Sequence, residues 1–109
     1  MKILKFASFL VPFVISGEKT ATWRLFDDKN LTTWDDLEFQ NAENGEIIGY
    51  GHIISLKEKK IKEIKNEDST GHEKFKNTEE LITNFKKYYG NSVDEDSIVK
   101  IIHFSFKKI

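Results

Sequence analysis

The chain has no cysteine, so disulfides, thiol nucleophiles and thiolate metal ligands are excluded from the outset. That absence leans slightly toward a reducing, cytoplasmic setting. Proline occurs once and glycine six times in 109 residues, too sparsely to build a linker, and no repeat or low-complexity tract is present. The sequence therefore reads as one domain, residues 1–109. A dominant sign of charge is also missing: 17 basic and 18 acidic side chains leave a formal net charge of −1. No global positive field would gather nucleic acid, so such a partner needs a local patch. Long hydrophobic runs are absent too, and no membrane partner is expected. The nearest approach is residues 1–17, with a lysine near the start and an apolar run over 6–15, in outline like a secretory signal. Lys5 crowds the run, no A-x-A-like site follows, and removing the segment would strip a small core, so it is read as part of the fold.

What the chain does hold is aromatic mass. Nine Phe, three Tyr and two Trp stand within 39 % hydrophobic and 32 % charged residues, the balance of a globular chain with one core. Residues 3–6 suit a short strand. Ser8 offers a helix cap, with Phe9, Leu10, Phe13 and Val14 on one helical face, Pro12 in the first turn and Gly17 as a left-handed stop. Residues 20–26 alternate as a strand: Ala21, Trp23 and Leu25 share one face, and Thr20, Thr22 and Arg24 the other. A turn over 27–30 follows, then a strand marked by Leu37 and Phe39, an Asn44-Gly45 hairpin turn, and a long strand over 46–56 whose Gly49 and Gly51 suggest a bend or bulge. The charged stretch 57–65 reads as a strand end or short helix. Thr78 opens a helix with Leu81, Ile82, Phe85, Tyr88 and Tyr89 as its stripe, closed by Gly90. The stretch 98–106 is apolar on both faces in its middle and reads as a central strand. The order β-α-β-β-β-α-β, with hairpins and no βαβ alternation, predicts an α+β fold: a curled, mostly antiparallel sheet flanked by helices.

Chemistry concentrates at Gly17-Glu18-Lys19-Thr20-Ala21-Thr22-Trp23-Arg24. By pattern alone a Lys–Thr–Arg edge is a solvated sheet face, and three residues separating Lys19 from Thr22 would point them opposite ways in an ideal strand. Convergence requires Lys19 to sit in the turn after Gly17. Trp23 reads as core because it shares a face with Ala21 and Leu25, whereas Trp34, in a turn, is the better candidate for an exposed surface that stacks on a ligand. His52, His72 and His103 lack metal-ligand spacing, and Asp27, Asp28, Asp35 and Asp36 are explained by turn and cap chemistry, so neither a metal nor a cofactor is expected. Lys57, Lys59 and Lys60 are interleaved with glutamates; they form a solvated face that could add a few phosphate contacts.

The G-x-K-x-x-T-x-R pattern of Gly17, Lys19, Thr22 and Arg24 resembles the signature of ASCH domains, a branch of the PUA-like β-barrel fold. Gly71-His72-Glu73-Lys74-Phe75, then Thr78-Glu79-Glu80-Leu81 and Tyr88-Tyr89-Gly90, are similar to the family's second block, and Ile101-Ile102-His103-Phe104 to its last strand. One departure is Trp34-Asp35, where many members carry Gly-Asp. The resemblance implies a PUA-like barrel and an RNA or nucleoside ligand. One branch of the family hydrolyses the amide of N(4)-acetylcytidine, and its lysine, threonine and glutamate match Lys19, Thr22 and Glu73. On that reading Thr22 is the nucleophile, Lys19 its base, Glu73 a proton shuttle, and Arg24, Thr20 and Trp34 contact the substrate. The alternative within the same likeness is a noncatalytic RNA-binding module using Lys57, Lys59 and Lys60. A ribonuclease is weaker, since no suitable histidine pair is evident. Oligomeric state is not legible in the sequence.

Overall fold

A computed structural model describes residues 1–26, 29–65, 68 and 75–109. Five strands, β1 (Lys2–Phe6), β2 (Ala21–Leu25), β3 (Asp36–Asn41), β4 (Ile47–Lys60) and β5 (Ile98–Lys108), form one mixed sheet in the order β1-β3-β4-β5-β2. The β1–β3 pair is parallel and the other three pairs are antiparallel. Two helices, α1 (Val11–Ser16) and α2 (Thr78–Tyr89), complete the α+β arrangement. The element order is the one the hydrophobic periodicity predicts, and β5 is indeed interior to the sheet.

The sheet is curled, and a single contact shows how far. In a flat sheet β1 and β2, four places apart, would lie about 19 Å from each other at the usual interstrand spacing. Yet the Arg24 guanidinium on β2 donates to the Lys5 carbonyl on β1 at 2.9 Å and lies 5.1 Å above the Phe6 ring. Only a sheet rolled back on itself brings its two edges that close. The rolled interior holds Leu4 and Phe6 of β1, Leu37 and Phe39 of β3, Ile48 and Ile53 of β4, and Ile102 and Phe104 of β5, with Val14 of α1 and Leu31 over them. A second core lies on the convex face, where α2 sets Leu81 and Phe85 against Trp23, Leu25, Val99 and Ile101.

Local chemistry explains why these elements start and stop where they do. Gly17 ends α1 at φ 84°, a conformation with little penalty only for a residue lacking Cβ. Gly51 is required by proximity: a Cβ there would sit 1.9 Å from the Ser105 carbonyl oxygen of the neighbouring strand. The hairpin at Asn44-Gly45 forms as predicted, the Gly45 N–H donating to the Asn41 carbonyl. Register shifts occur between Phe39 and Gln40 and between Ile53 and Ser55, so the extra residues of β4 are Ile48, next to Gly49, and Ile54, three positions beyond Gly51.

Three details differ from the sequence reading. Ser8 does not cap the first helix: its hydroxyl donates to Asn41 Oδ1, and Leu10 takes the cap position after a 3₁₀ turn over Ser8–Leu10. The buried side of α1 is Leu10, Val11 and Val14, while Phe9 and Phe13 are exposed, because that turn rotates the helix relative to an α-helix begun at Ser8. β4 runs four residues beyond the predicted end, to Lys60, since pairing with β5 continues through Lys60↔Ile98. The N-terminal segment belongs to the fold, with β1 paired along its length and Leu4 and Phe6 buried in the core.

Replacing Arg24 with Met keeps the length of the side chain but removes the charged hydrogen bond and the cation–π contact. We expect a loss of about 2 kcal/mol, read as a lower urea midpoint at unchanged slope, with Arg24→Lys recovering only part of it.

Candidate functional site

The N-terminal block folds as a turn leading into β2. After Gly17 reverses the chain, the Lys19 N–H donates to the Phe13 carbonyl at 2.9 Å, tying the turn to the end of α1. Lys19 sits in the turn after Gly17, and it is only 5 % exposed. Thr20 is exposed, and its carbonyl accepts from the Phe104 N–H, extending the pairing with β5 by one residue. Thr22 is also 5 % exposed. It stands opposite Ile102 in the register, so it shares the concave side with that core residue, while Trp23 stands opposite Ile101 on the convex side. Among the described residues no hydrogen bond joins the Lys19 amine to the Thr22 hydroxyl. Glu73 lies outside the described residues, as do His72, Asp27 and Asp28.

Arg24 also turns to the concave side, where its guanidinium closes the sheet as described above. The three lysines expected to meet phosphates are engaged elsewhere. Lys57 and Lys59 ion-pair with the two oxygens of Asp68 at 2.6 and 2.9 Å, and Lys60 lies 3.9 Å from Asp96, which Lys62 also contacts at 2.8 Å. Asp68 is 1 % exposed. Desolvation pushes its carboxyl upward, but hydrogen bonds from Lys57, the Lys65 N–H and Lys59 outweigh that and hold it well below its ordinary range. Sequence reading missed this carboxylate because nothing local marks it; its partners come from a strand nine and eleven residues earlier.

Trp34 is where the chain departs from Gly-Asp, and the turn keeps a shape that suits glycine. Its φ is 72°, in the left-handed region that bulky side chains avoid. The flanking bonds hold it there: the Trp34 N–H donates to the Ile53 carbonyl, the Ile53 N–H to the Asp35 carbonyl, and the Asp35 N–H to the Thr32 carbonyl. The Asp35 carboxylate accepts from Lys2 Nζ at 2.7 Å and from the Thr32 N–H at 2.8 Å, and these bonds, the lysine's first, lower its pKa. The indole is 68 % exposed and stacks on the His52 ring at 5.4 Å and 23°. Ser105 supports His52 from the next strand, accepting from its N–H at 3.1 Å and meeting Nδ1 at 3.0 Å. The Ser105–His52 pair was also beyond sequence reading, since 53 residues separate its members.

A cleft of about 300 Å³ opens between α2 and the sheet, lined by Trp23, Ile61, Ile64, Phe75, Asn77 and Leu81 among others. It adjoins both ends of residues 66–74 in the chain. Among the described residues there is no cluster of three or more side chains able to hold a metal.

No family model matches the sequence, and no curated protein does so significantly. Solved structures do. The fold superposes on an Enterococcus faecalis protein of the family-model DUF984 with a TM-score of 0.73 at 15 % identity, covering 92 % of this chain and 71 % of that one. It superposes on the hypothetical protein PH0355 with a TM-score of 0.71 at 18 % identity, covering 98 % and 100 %. An ASCH domain from Lactobacillus crispatus gives 0.70 at 12 % identity, covering 96 % and 79 %. At such identities the likeness establishes the fold: this is the PUA-like architecture of the ASCH-domain structures.

The Asp68 pair makes a pH prediction. A carboxyl whose folded-state pKa lies below its ordinary 3.8 contributes stability that is complete above about pH 4 and lost as pH falls through the folded value. Urea titrations at pH 7, 4 and 2.5 should show the wild type weakening in acid. Asp68→Asn should be about 2 kcal/mol less stable at pH 7 and show a flatter acid profile.

Proposed function

We propose that this ASCH-fold domain binds a nucleoside at the turn between α1 and β2, and hydrolyses the exocyclic amide of an acylated cytidine there. One observation carries the reading. Among the described residues three polar or charged side chains are buried, Lys19, Thr22 and Asp68, and two of these three are the ones the ASCH signature marks. Taking a lysine out of water is costly, and the solvated sheet edge read from the pattern alone would not require it.

In this reading the Thr22 oxygen adds to the acyl carbonyl carbon while its proton passes to the Lys19 amine, which the step requires in its neutral form. The two side chains share no direct hydrogen bond, so this step requires one bridging water between them, an arrangement that base catalysis allows. Collapse of the tetrahedral adduct breaks the C–N bond, and the cytosine amino group leaves with a proton delivered from the lysine ammonium. Water then cleaves the acyl ester on Thr22, releasing the acid. Glu73 is assigned its shuttle role by the resemblance alone. Lys57, Lys59 and Lys60 are all ion-paired, which favours a nucleoside over a long RNA strand as the ligand.

The test is acetate release from N(4)-acetylcytidine by purified protein, with Thr22→Ala and Lys19→Met expected to lower kcat/KM at least 100-fold while circular dichroism stays unchanged. An inactive wild type at high enzyme concentration would remove the hydrolase reading. Unchanged rates in both variants would remove these residues from it.

A further inference from the structure

A helix that stops on a left-handed glycine commonly closes with two main-chain bonds, the Schellman arrangement. The glycine N–H donates to the carbonyl three residues back, and the next N–H donates to the carbonyl five residues back. At the end of α1 the first bond is present, from the Gly17 N–H to the Val14 carbonyl at 3.2 Å. The second would run from the Glu18 N–H to the Phe13 carbonyl, and here it is replaced. The Glu18 N–H donates to the Ser16 hydroxyl oxygen at 3.3 Å, and the Phe13 carbonyl accepts instead from the Lys19 N–H at 2.9 Å.

Ser16 works at both ends of this exchange. Its hydroxyl donates to the Phe13 carbonyl at 3.1 Å while its oxygen accepts from Glu18. The turn is thereby one residue longer than the usual stop, and Lys19, not Glu18, is the residue tied to the helix end. One position further on the sheet takes over, since the Thr20 carbonyl accepts from the Phe104 N–H. Lys19 is thus held from both sides. The sheet tie is main chain throughout, whereas the helix tie keeps its register through one side chain. Packing gives no reason for serine there: Ser16 is exposed, and alanine would suit the last turn of a helix better. Without the hydroxyl, the Glu18 N–H is free to take the Phe13 carbonyl, and the usual stop competes with the observed one.

We infer that Ser16 is a positioning residue for Lys19, its hydroxyl selecting the lengthened helix stop that pins the buried lysine. The consequence for catalysis rests on the proposed function; the selection of the turn rests on the hydrogen bonds alone.

Ser16→Ala and Ser16→Thr test it in the full chain. Amide exchange followed by NMR should show the Lys19 N–H losing protection about fivefold in Ser16→Ala, with the β5 amides unchanged. Brief acylation by a succinimidyl ester, read by mass spectrometry, should modify the Lys19 amine about threefold faster in that variant, as the lysine is released in part of the population. Ser16→Thr keeps the hydroxyl and should restore both values. In hydrolysis of N(4)-acetylcytidine, kcat should fall about fivefold in Ser16→Ala at nearly unchanged KM, and recover in Ser16→Thr. Wild-type exchange and acylation in Ser16→Ala would overturn the inference whatever the activity. So would equal loosening in both variants, because the hydroxyl would then not be the cause. Exchange and acylation shifted as expected, with kcat unmoved in an active enzyme, would remove Ser16 from the chemistry. The same shifts in a protein whose wild type is inactive would remove the proposed function and uphold Ser16 as the selector of the turn.

Discussion

The Arg24 bridge is the contact on which the arrangement of this molecule turns. A five-stranded sheet of this order has two bare edges, β1 and β2, and exposed edges invite pairing with other chains. Bringing them together through one guanidinium, hydrogen-bonded to a main-chain carbonyl and laid on Phe6, closes the interior around the first core. The same closure fixes β2 in place, and with it the turn that buries Lys19. A residue marked as a ligand contact by family likeness is thus also a structural tie, and its signature position follows from geometry whichever role it takes.

Buried charge is sparse here, and each instance has a visible consequence. Asp68 gathers two lysines of β4 and a main-chain N–H, anchoring a carboxylate that would otherwise be expensive to bury. Those are two of the five lysines in the stretch 57–65, and Lys60 and Lys62 share Asp96, so four of the five are ion-paired.

The sequence was most legible where one residue type has one physical use. Gly17 and Gly45 at positive φ, the alternation of Ala21, Trp23 and Leu25, and the stripe of Leu81 and Phe85 each announced their structure. Reading failed where partners are distant. Nothing near Ser8 predicts that Asn41 will take its hydroxyl, and nothing near Asp68 predicts its lysines. The faces of α1 were misjudged because a 3₁₀ turn and an α-helix place the same residues at different angles. Of the candidate site, the chain alone placed Lys19 in its turn and Trp34 at the surface; the burial of Thr22 and the His52–Ser105 support required the register of three strands.

The position of β5 has a consequence for how the molecule is made. Although it follows every other element in the sequence, it lies between β4 and β2, and it is the one strand β2 is hydrogen-bonded to in the sheet. During synthesis the segment that carries Lys19 and Thr22 must wait some eighty residues for its neighbour, and until then its apolar face has no cover. Such late closure gives a high contact order, which slows folding and leaves a half-assembled nascent chain needing shelter from aggregation.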